Sequence, residues 1–207
     1  MHYLSFDCAT KSFAYSLSYI DLSNIHIKYN AFIEHILIDA QCAKYFDEFK
    51  HSIIHLIDGE VIDFFPKIPD AKIDTVERIQ KISNYVKTII IPKIKDINDI
   101  EIFIEFQMGP NHKARMVSSA LIAIFSEYKV RLINPSLKNK IYTSEEGKHK
   151  HFIKKYSNLY LANKEHARHN FCVIETAFGS NIPYTKKSDR GHIADSFMQV
   201  LGHLLKK

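Results

Sequence analysis

The chain has 207 residues, 46% of them apolar, and 28 Lys and Arg against 23 Asp and Glu, a net charge of +5. That is enough for one domain, 1–207, with a sizeable core, and nothing in the composition demands a second. Cys8, Cys42 and Cys172 are odd in number and include no Cys-x-x-Cys pair, which argues against a disulfide framework and a thiolate zinc site.

Met1-His2 runs directly into apolar sequence without a charged leader, and no apolar run approaches the roughly 18–20 residues of a membrane span. A soluble protein in a reducing, intracellular setting, with no membrane partner, is expected. The charge is uneven: 11 Lys or Arg stand against 16 Asp or Glu through Phe106, and 17 against 7 from Gln107 onward. Such asymmetry suits a polyanion partner for the C-terminal half, and equally a solvated basic surface.

Residues 2–9 alternate, with Tyr3, Ser5 and Asp7 on one face and Leu4, Phe6 and Cys8 on the other, which predicts a strand. Residues 11–20 and 25–38 carry similar aromatic and β-branched runs around the polar turn Asp21-Leu22-Ser23-Asn24, predicting an antiparallel meander of three strands. Residues 40–57 have amphipathic helical spacing, whereas 58–70 hold Pro66 and Pro69 and no clear period. The stretch 40–72 is therefore expected to be a helix-and-loop insertion.

From Asp74, Val76, Ile79, Ile82, Val86 and Ile89/Ile90 recur at helical spacing, and Pro92 is expected to end or kink that helix. Residues 100–106 alternate as a fourth strand ending in Glu105. Gly109-Pro110-Asn111 is turn chemistry ahead of a helix over 113–128, with Met116, Ala120, Leu121, Ile124 and Phe125 apolar, and 130–133 predicts a short fifth strand. The order β-β-β-α-β-α-β-α predicts a mixed five-stranded α/β sheet, three antiparallel strands then two parallel, flanked by helices. This is the plan of the ribonuclease H fold, in which the first strand lies beside the fourth.

Between 135 and 168, Lys138, Lys140, Lys148, Lys150, Lys154, Lys155, Lys164 and Arg168 are interleaved with Tyr142, Phe152, Tyr156 and Tyr160. The mixture suits phosphate neutralisation and base stacking, or a solvated helix with its tyrosines in the core. The last helix, 188–205, buries Ile193, Phe197, Val200/Leu201 and Leu204, and places His192 and Asp195 on one side at i and i+3.

Each candidate has a plain alternative when taken alone: Asp7 as a strand-end cap, Glu105 as an acid at the solvent boundary, His192 and Asp195 as a surface pair. Together they describe a cation site, because buried carboxylates need a partner or a metal. Three carboxylates and one imidazole fit Mg²⁺ or Mn²⁺ better than zinc. Two such ions about 3.5–4 Å apart clamp an in-line phosphoryl transfer.

Asp7 on the first strand, Ile104-Glu105-Phe106-Gln107 on the fourth and Gly191-His192-Ile193-Ala194-Asp195-Ser196-Phe197 on the last helix resemble the RuvC-like Holliday junction resolvases, especially their poxviral and mitochondrial branch. Lys186-Lys187-Ser188-Asp189 resembles that branch too. The resemblance implies a homodimeric, Mg²⁺-dependent endonuclease with two ions per site, making paired symmetric nicks in four-way DNA junctions during recombination or replication. It puts Asp7, Glu105 and Asp195 in the acidic positions, His192 in a position that is Asp or His among relatives, and Lys138 or the nearby Lys140 in that of the assisting lysine. Asp189 is a possible substitute for His192.

Gln107, Asn111, Lys113, Arg115, Lys140, Lys186 and Lys187 are the candidate DNA contacts. The branch, with the abundance of Ile, Lys, Asn and Tyr, is compatible with a large DNA virus and a cytoplasmic replication site; a nuclear or mitochondrial setting is the alternative. Other functions remain open: a flap or RNA–DNA hybrid nuclease on the same fold, or a nucleic-acid-binding relative without catalysis. An actin-like ATPase is disfavoured because Asp7-Cys8-Ala9-Thr10-Lys11 lacks the glycines of a phosphate loop.

Overall fold

A computed structural model describes residues 1–8, 12–21, 23, 54–106, 111–144, 146–180, 182 and 187–205, with the side chains of Ala177 and Lys187 outside that set. Five strands, β1 (His2–Cys8), β2 (Ser12–Ile20), β3 (Ile54–Asp63), β4 (Ile100–Glu105) and β5 (Lys129–Ile133), form one sheet in the order β3-β2-β1-β4-β5. The β1–β2 and β2–β3 pairs are antiparallel; β1–β4 and β4–β5 are parallel. The expected mixed sheet, with the first strand beside the fourth, is the observed one.

The third strand corrects the expectation. The segment 25–38 lies outside the described residues, as does most of the helix expected over 40–57, and Ile54–Asp63 pairs with β2 instead. Asp58-Gly59 has turn chemistry, but here Gly59 serves packing: a Cβ would lie 3.1 Å from the Tyr15 carbonyl oxygen and 3.2 Å from an Ile193 methyl. A bulge opposite Leu17/Ser18 absorbs one extra residue.

Helices cover both sheet faces. On one, α1 (Thr75–Tyr85) runs through a π turn (Val86–Ile90) into α2 (Ile91–Ile94), with α3 (His112–Ile124) alongside. Asp74 and Asn111 cap α1 and α3 by accepting from the backbone N–H of Glu77 and Ala114. Pro92 does not end the helix; the register has already slipped, with Ile91 N–H donating to the Val86 carbonyl five residues back. The buried stripe is Arg78, Ile82, Val86, Ile90 and Ile94, four apart, while Val76 and Ile89 of the expected stripe are exposed. Arg78 is paired with Asp70 at 2.9 Å, as a buried guanidinium requires.

This layer packs on Leu4, Phe6, Ile102 and Ile104, with Val117, Leu121 and Phe125 from α3 and its C-cap; Met116, expected to face inward, is exposed. Truncating Phe125 to Ala would cost about 3–5 kcal/mol. The opposite face carries α5 (Leu159–Phe178), ended by Gly179 at φ +78°, and α6 (Lys187–Leu204), with α4 (His149–Lys155) against α5. Its core joins Tyr3 and Phe103 to Phe171, Ile174, Phe197 and Leu201. No helix among the described residues is long and apolar enough to cross a membrane.

A 3₁₀ segment, Pro135–Lys140, follows β5 and lies against α6. A Cβ on Gly202 would fall 2.5 Å from the Leu137 carbonyl oxygen, so the absence of a side chain there sets how closely the two backbones approach. Ser5, Ser16 and Ser18 line the sheet on this side; Ser196 of α6 donates to Ser16 Oγ at 3.0 Å.

Candidate active site

Parallel pairing of Phe6 with Ile104 brings Asp7 and Glu105 to the same end of adjacent central strands. Both share the face of Tyr3 and Phe103, so both point towards α6. From that helix His192 and Asp195, one turn apart, point back at them; Asp7, Glu105 and Asp195 are all buried. With Lys138 from the 3₁₀ segment, they line one open cleft of about 410 Å³ whose walls include Asn111, Ser136, Asn139, Tyr160, Asn163 and Lys164.

The charges in this cleft are organised around Asp195. Lys138 Nζ donates to its Oδ1 at 2.6 Å, while Lys164 Nζ contacts its Oδ2. Lys164 also lies 3.7 Å from Asp7 Oδ2 and 3.4 Å from His192 Nδ1, and His192 Nδ1 donates to Asp7 Oδ2 at 3.0 Å. Burial alone would raise the pKa of Asp7, but the His192 hydrogen bond and the Lys164 charge outweigh it and hold it at about 2. Burial would likewise lower Lys164, and the charges of Asp195 and Asp7 instead raise it.

Glu105 behaves oppositely. Burial and then the negative charge of Asp7 push its carboxyl up to about 8, against a smaller opposing effect from Lys138. Gln199, fully buried one turn beyond Asp195, stands close enough to favour the charged form of Glu105, although its amide completes no hydrogen bond among the described residues. The cluster therefore carries an acid side where positive charge is short.

Among the described residues no three His, Cys, Asp or Glu side chains are already gathered to hold an ion. The donor set nevertheless fits a hard divalent cation: Asp7, Glu105 and Asp195 supply oxygens and His192 a nitrogen, all from regular elements, and the proton that Glu105 keeps beside the charge of Asp7 is what a bound cation would displace.

The structure thus brings together Asp7, Glu105, His192, Asp195 and Lys138, while Lys140 is exposed and is not part of the cleft lining. Asp189 lies in the first turn of α6 and is not part of the cleft lining. Of the expected DNA contacts, Asn111 lines the cleft, Lys113 donates to the Asp70 carbonyl at 3.0 Å, and Arg115 is exposed and bonded to His112. Gln107 and Lys186 lie outside the described residues, as does the side chain of Lys187.

Two residues that the sequence did not single out join the site. Lys164 was hidden in a basic run, where nothing local separates it from its solvated neighbours. Gln199 did leave a signal: His192, Asp195 and Gln199 recur at i, i+3 and i+7, which is one face, in a stretch from 192 to 201 whose other residues are apolar except Ser196.

No protein-family model and no curated protein matches the sequence. Among solved structures, Thermus thermophilus RuvC is similar with a TM-score of 0.54 and 14% identity, covering 99% of this chain and 94% of that one. T. thermophilus RuvC in complex with a Holliday junction substrate is similar with a TM-score of 0.53 and 12% identity, over the same shares of the two chains. Together with the strand order and directions, this likeness gives the chain the RuvC-like form of the ribonuclease H fold.

Proposed function

We propose that this chain is a single-domain, divalent-metal-dependent Holliday junction resolvase, cutting four-way DNA junctions by paired symmetric nicks. The observation that carries the reading is the convergence of Asp7, Glu105, His192 and Asp195 with Lys138 in one open cleft, on a RuvC-like fold. The likeness to a RuvC bound to a Holliday junction substrate supports branched DNA as the substrate class. The sequence motifs favour the poxviral and mitochondrial branch.

Asp7, Glu105, His192 and Asp195 would hold Mg²⁺, with Mn²⁺ able to replace it. Two such ions supply an activated water and charge neutralisation at the leaving oxygen. The chain's own residues prepare that environment. Lys164 and His192 keep Asp7 ionised, and Lys138 fixes the orientation of Asp195 through Oδ1. Both ammonium groups also place positive charge where a phosphodiester enters, and Asn111, Ser136, Asn139 and Asn163 offer neutral donors along the rim.

Resolution of a junction needs one cut on each of two opposed strands, which a two-fold homodimer provides. The test is incubation of the protein with an immobile four-way junction, a flap and an RNA–DNA hybrid, with Mg²⁺ or EDTA, beside Asp7→Asn. Paired junction nicks that need both Mg²⁺ and Asp7 are expected. Cuts confined to flaps or hybrids assign another nuclease, and tight junction binding without cuts in any condition assigns a binding protein.

A further inference from the structure

Tyr160 is the second residue of α5, fixed there by Asn158, whose side chain accepts from the Tyr160 N–H at 2.8 Å. Its side chain is 63% exposed, and its neighbours Leu159 and Leu161 are 60% and 49% exposed. Three consecutive large side chains, each about half or more in water, form an exposed patch, and such a patch beside a cleft marks a contact surface. One turn along the helix, Lys164 Nζ lies 5.9 Å from the Tyr160 ring centroid while also contacting Asp7 and Asp195. The ring is thereby held at the border of the acidic cluster.

Behind it opens a second hollow of about 370 Å³, lined by Tyr160, Lys164, Glu165, Arg168, Ser188, Gly191 and His192. Tyr160, Lys164 and His192 belong to both hollows, so the two form one groove with the tyrosine at the partition. Its floor is open at Gly191, where an added Cβ would meet no atom within 4 Å. The electrostatics differ between the halves. Arg168 is bonded through Nε and Nη2 to the Glu165 carboxylate, which neutralises the guanidinium inside the second hollow. A space bounded by an exposed ring and a neutralised ion pair suits a flat, uncharged group better than a second phosphate.

We infer that this second hollow is the subsite for the nucleotide next to the scissile phosphate, with Tyr160 stacked on its base. The inference rests on the nuclease reading above and adds a base-binding position to it. Stacking accepts any base, so Tyr160 contributes affinity and places the strand without dictating sequence. It is a positioning residue, and its loss acts on binding.

The test uses the full chain and substrates bearing a single 2-aminopurine at each position flanking the mapped cut. Binding of the wild type and of Tyr160→Phe quenches the fluorescence at one flanking position, and Tyr160→Leu abolishes that quench. Tyr160→Leu also raises KM about tenfold, the scale of one lost base stack, with the loss falling on KM rather than kcat. If the wild type cuts DNA and Tyr160→Leu leaves the quench unchanged at every position, the subsite is overturned while the nuclease reading stands. If Tyr160→Leu lowers kcat at constant KM, the stacking role is likewise overturned. If the wild type neither binds nor cuts junction, flap or hybrid, both fall.

Discussion

Lys138 Nζ lies 2.6 Å from Asp195 Oδ1, joining the 3₁₀ segment after β5 to the last helix across 57 positions of sequence. Lys138→Met should lower cleavage by about a hundredfold or more, the scale of one lost charge-stabilising group in an active site. Stability should fall by only about 1–3 kcal/mol, because Lys164 still pairs with Asp195. Single-turnover cleavage and urea denaturation of the same variant separate the two effects; equal activity with lost stability would make Lys138 a structural residue.

Gly202→Ala tests how that lysine is placed. The new methyl would meet the Leu137 backbone, which cannot rotate away as a side chain can, so α6 and the 3₁₀ segment must part. A loss of about 1–3 kcal/mol is expected from overpacking, with reduced cleavage, although Gly202 touches none of the acids. Unchanged denaturation midpoint and rate would show that the segment moves without carrying Lys138.

Glu105 sets an alkaline limit. Its folded pKa of about 8 lies above the ordinary 4.5, so the native state binds its proton more tightly than the unfolded chain does. Stability associated with this group is complete below about pH 4.5 and is lost as pH rises through about 8. In EDTA, Glu105→Gln should flatten the fall in urea midpoint between pH 5 and 9 and should be the more stable protein at pH 9, while losing cleavage. Stabilisation by Mg²⁺ should grow over the same range, since a ligand carboxyl must first lose its proton. A parallel pH profile for the two proteins would sink this account.

His166 sets an acid limit. It is fully buried on α5, with both ring nitrogens lacking a hydrogen-bond partner among the described residues, beside His149 and Phe152 at ring separations of 5.0 and 5.4 Å. Burial, then the charges of His149, His169 and Lys138, lower its pKa to about 4. The stability it allows is present above about 6.5 and disappears as pH falls towards 4. His166→Leu should keep its melting temperature from pH 7 to pH 4.5 better than the wild type; an equal loss in both would place acid sensitivity elsewhere.

The strands and helices that carry the acids were legible because each obeys a short-range period. Asp7 and Glu105 fall in phase with the alternation of their strands, and His192 and Asp195 fall beside the apolar stripe of their helix, so their faces follow from the sequence. The third strand was not legible. Among the described residues β3 is an edge strand with several exposed positions, and its Asp58-Gly59 dipeptide has the composition of a turn, while the close approach of the Tyr15 carbonyl and of Ile182 and Ile193 explains the glycine. Lys164 was invisible for the converse reason: Asn163 and Glu165 flank it as they would any solvated lysine, and only the packing of α5 on α6 gives it two carboxylates.

The contact between Asp7 and His192 spans 185 positions, nearly the whole chain. During synthesis β1 emerges before α6, and its site stays half-built until that helix is made and crosses β1, β2 and β3. A chain that has not yet made α6 therefore lacks His192 and Asp195 beside Asp7, while β2, next in sequence and paired along all seven residues of β1, is the earliest partner available to the first strand.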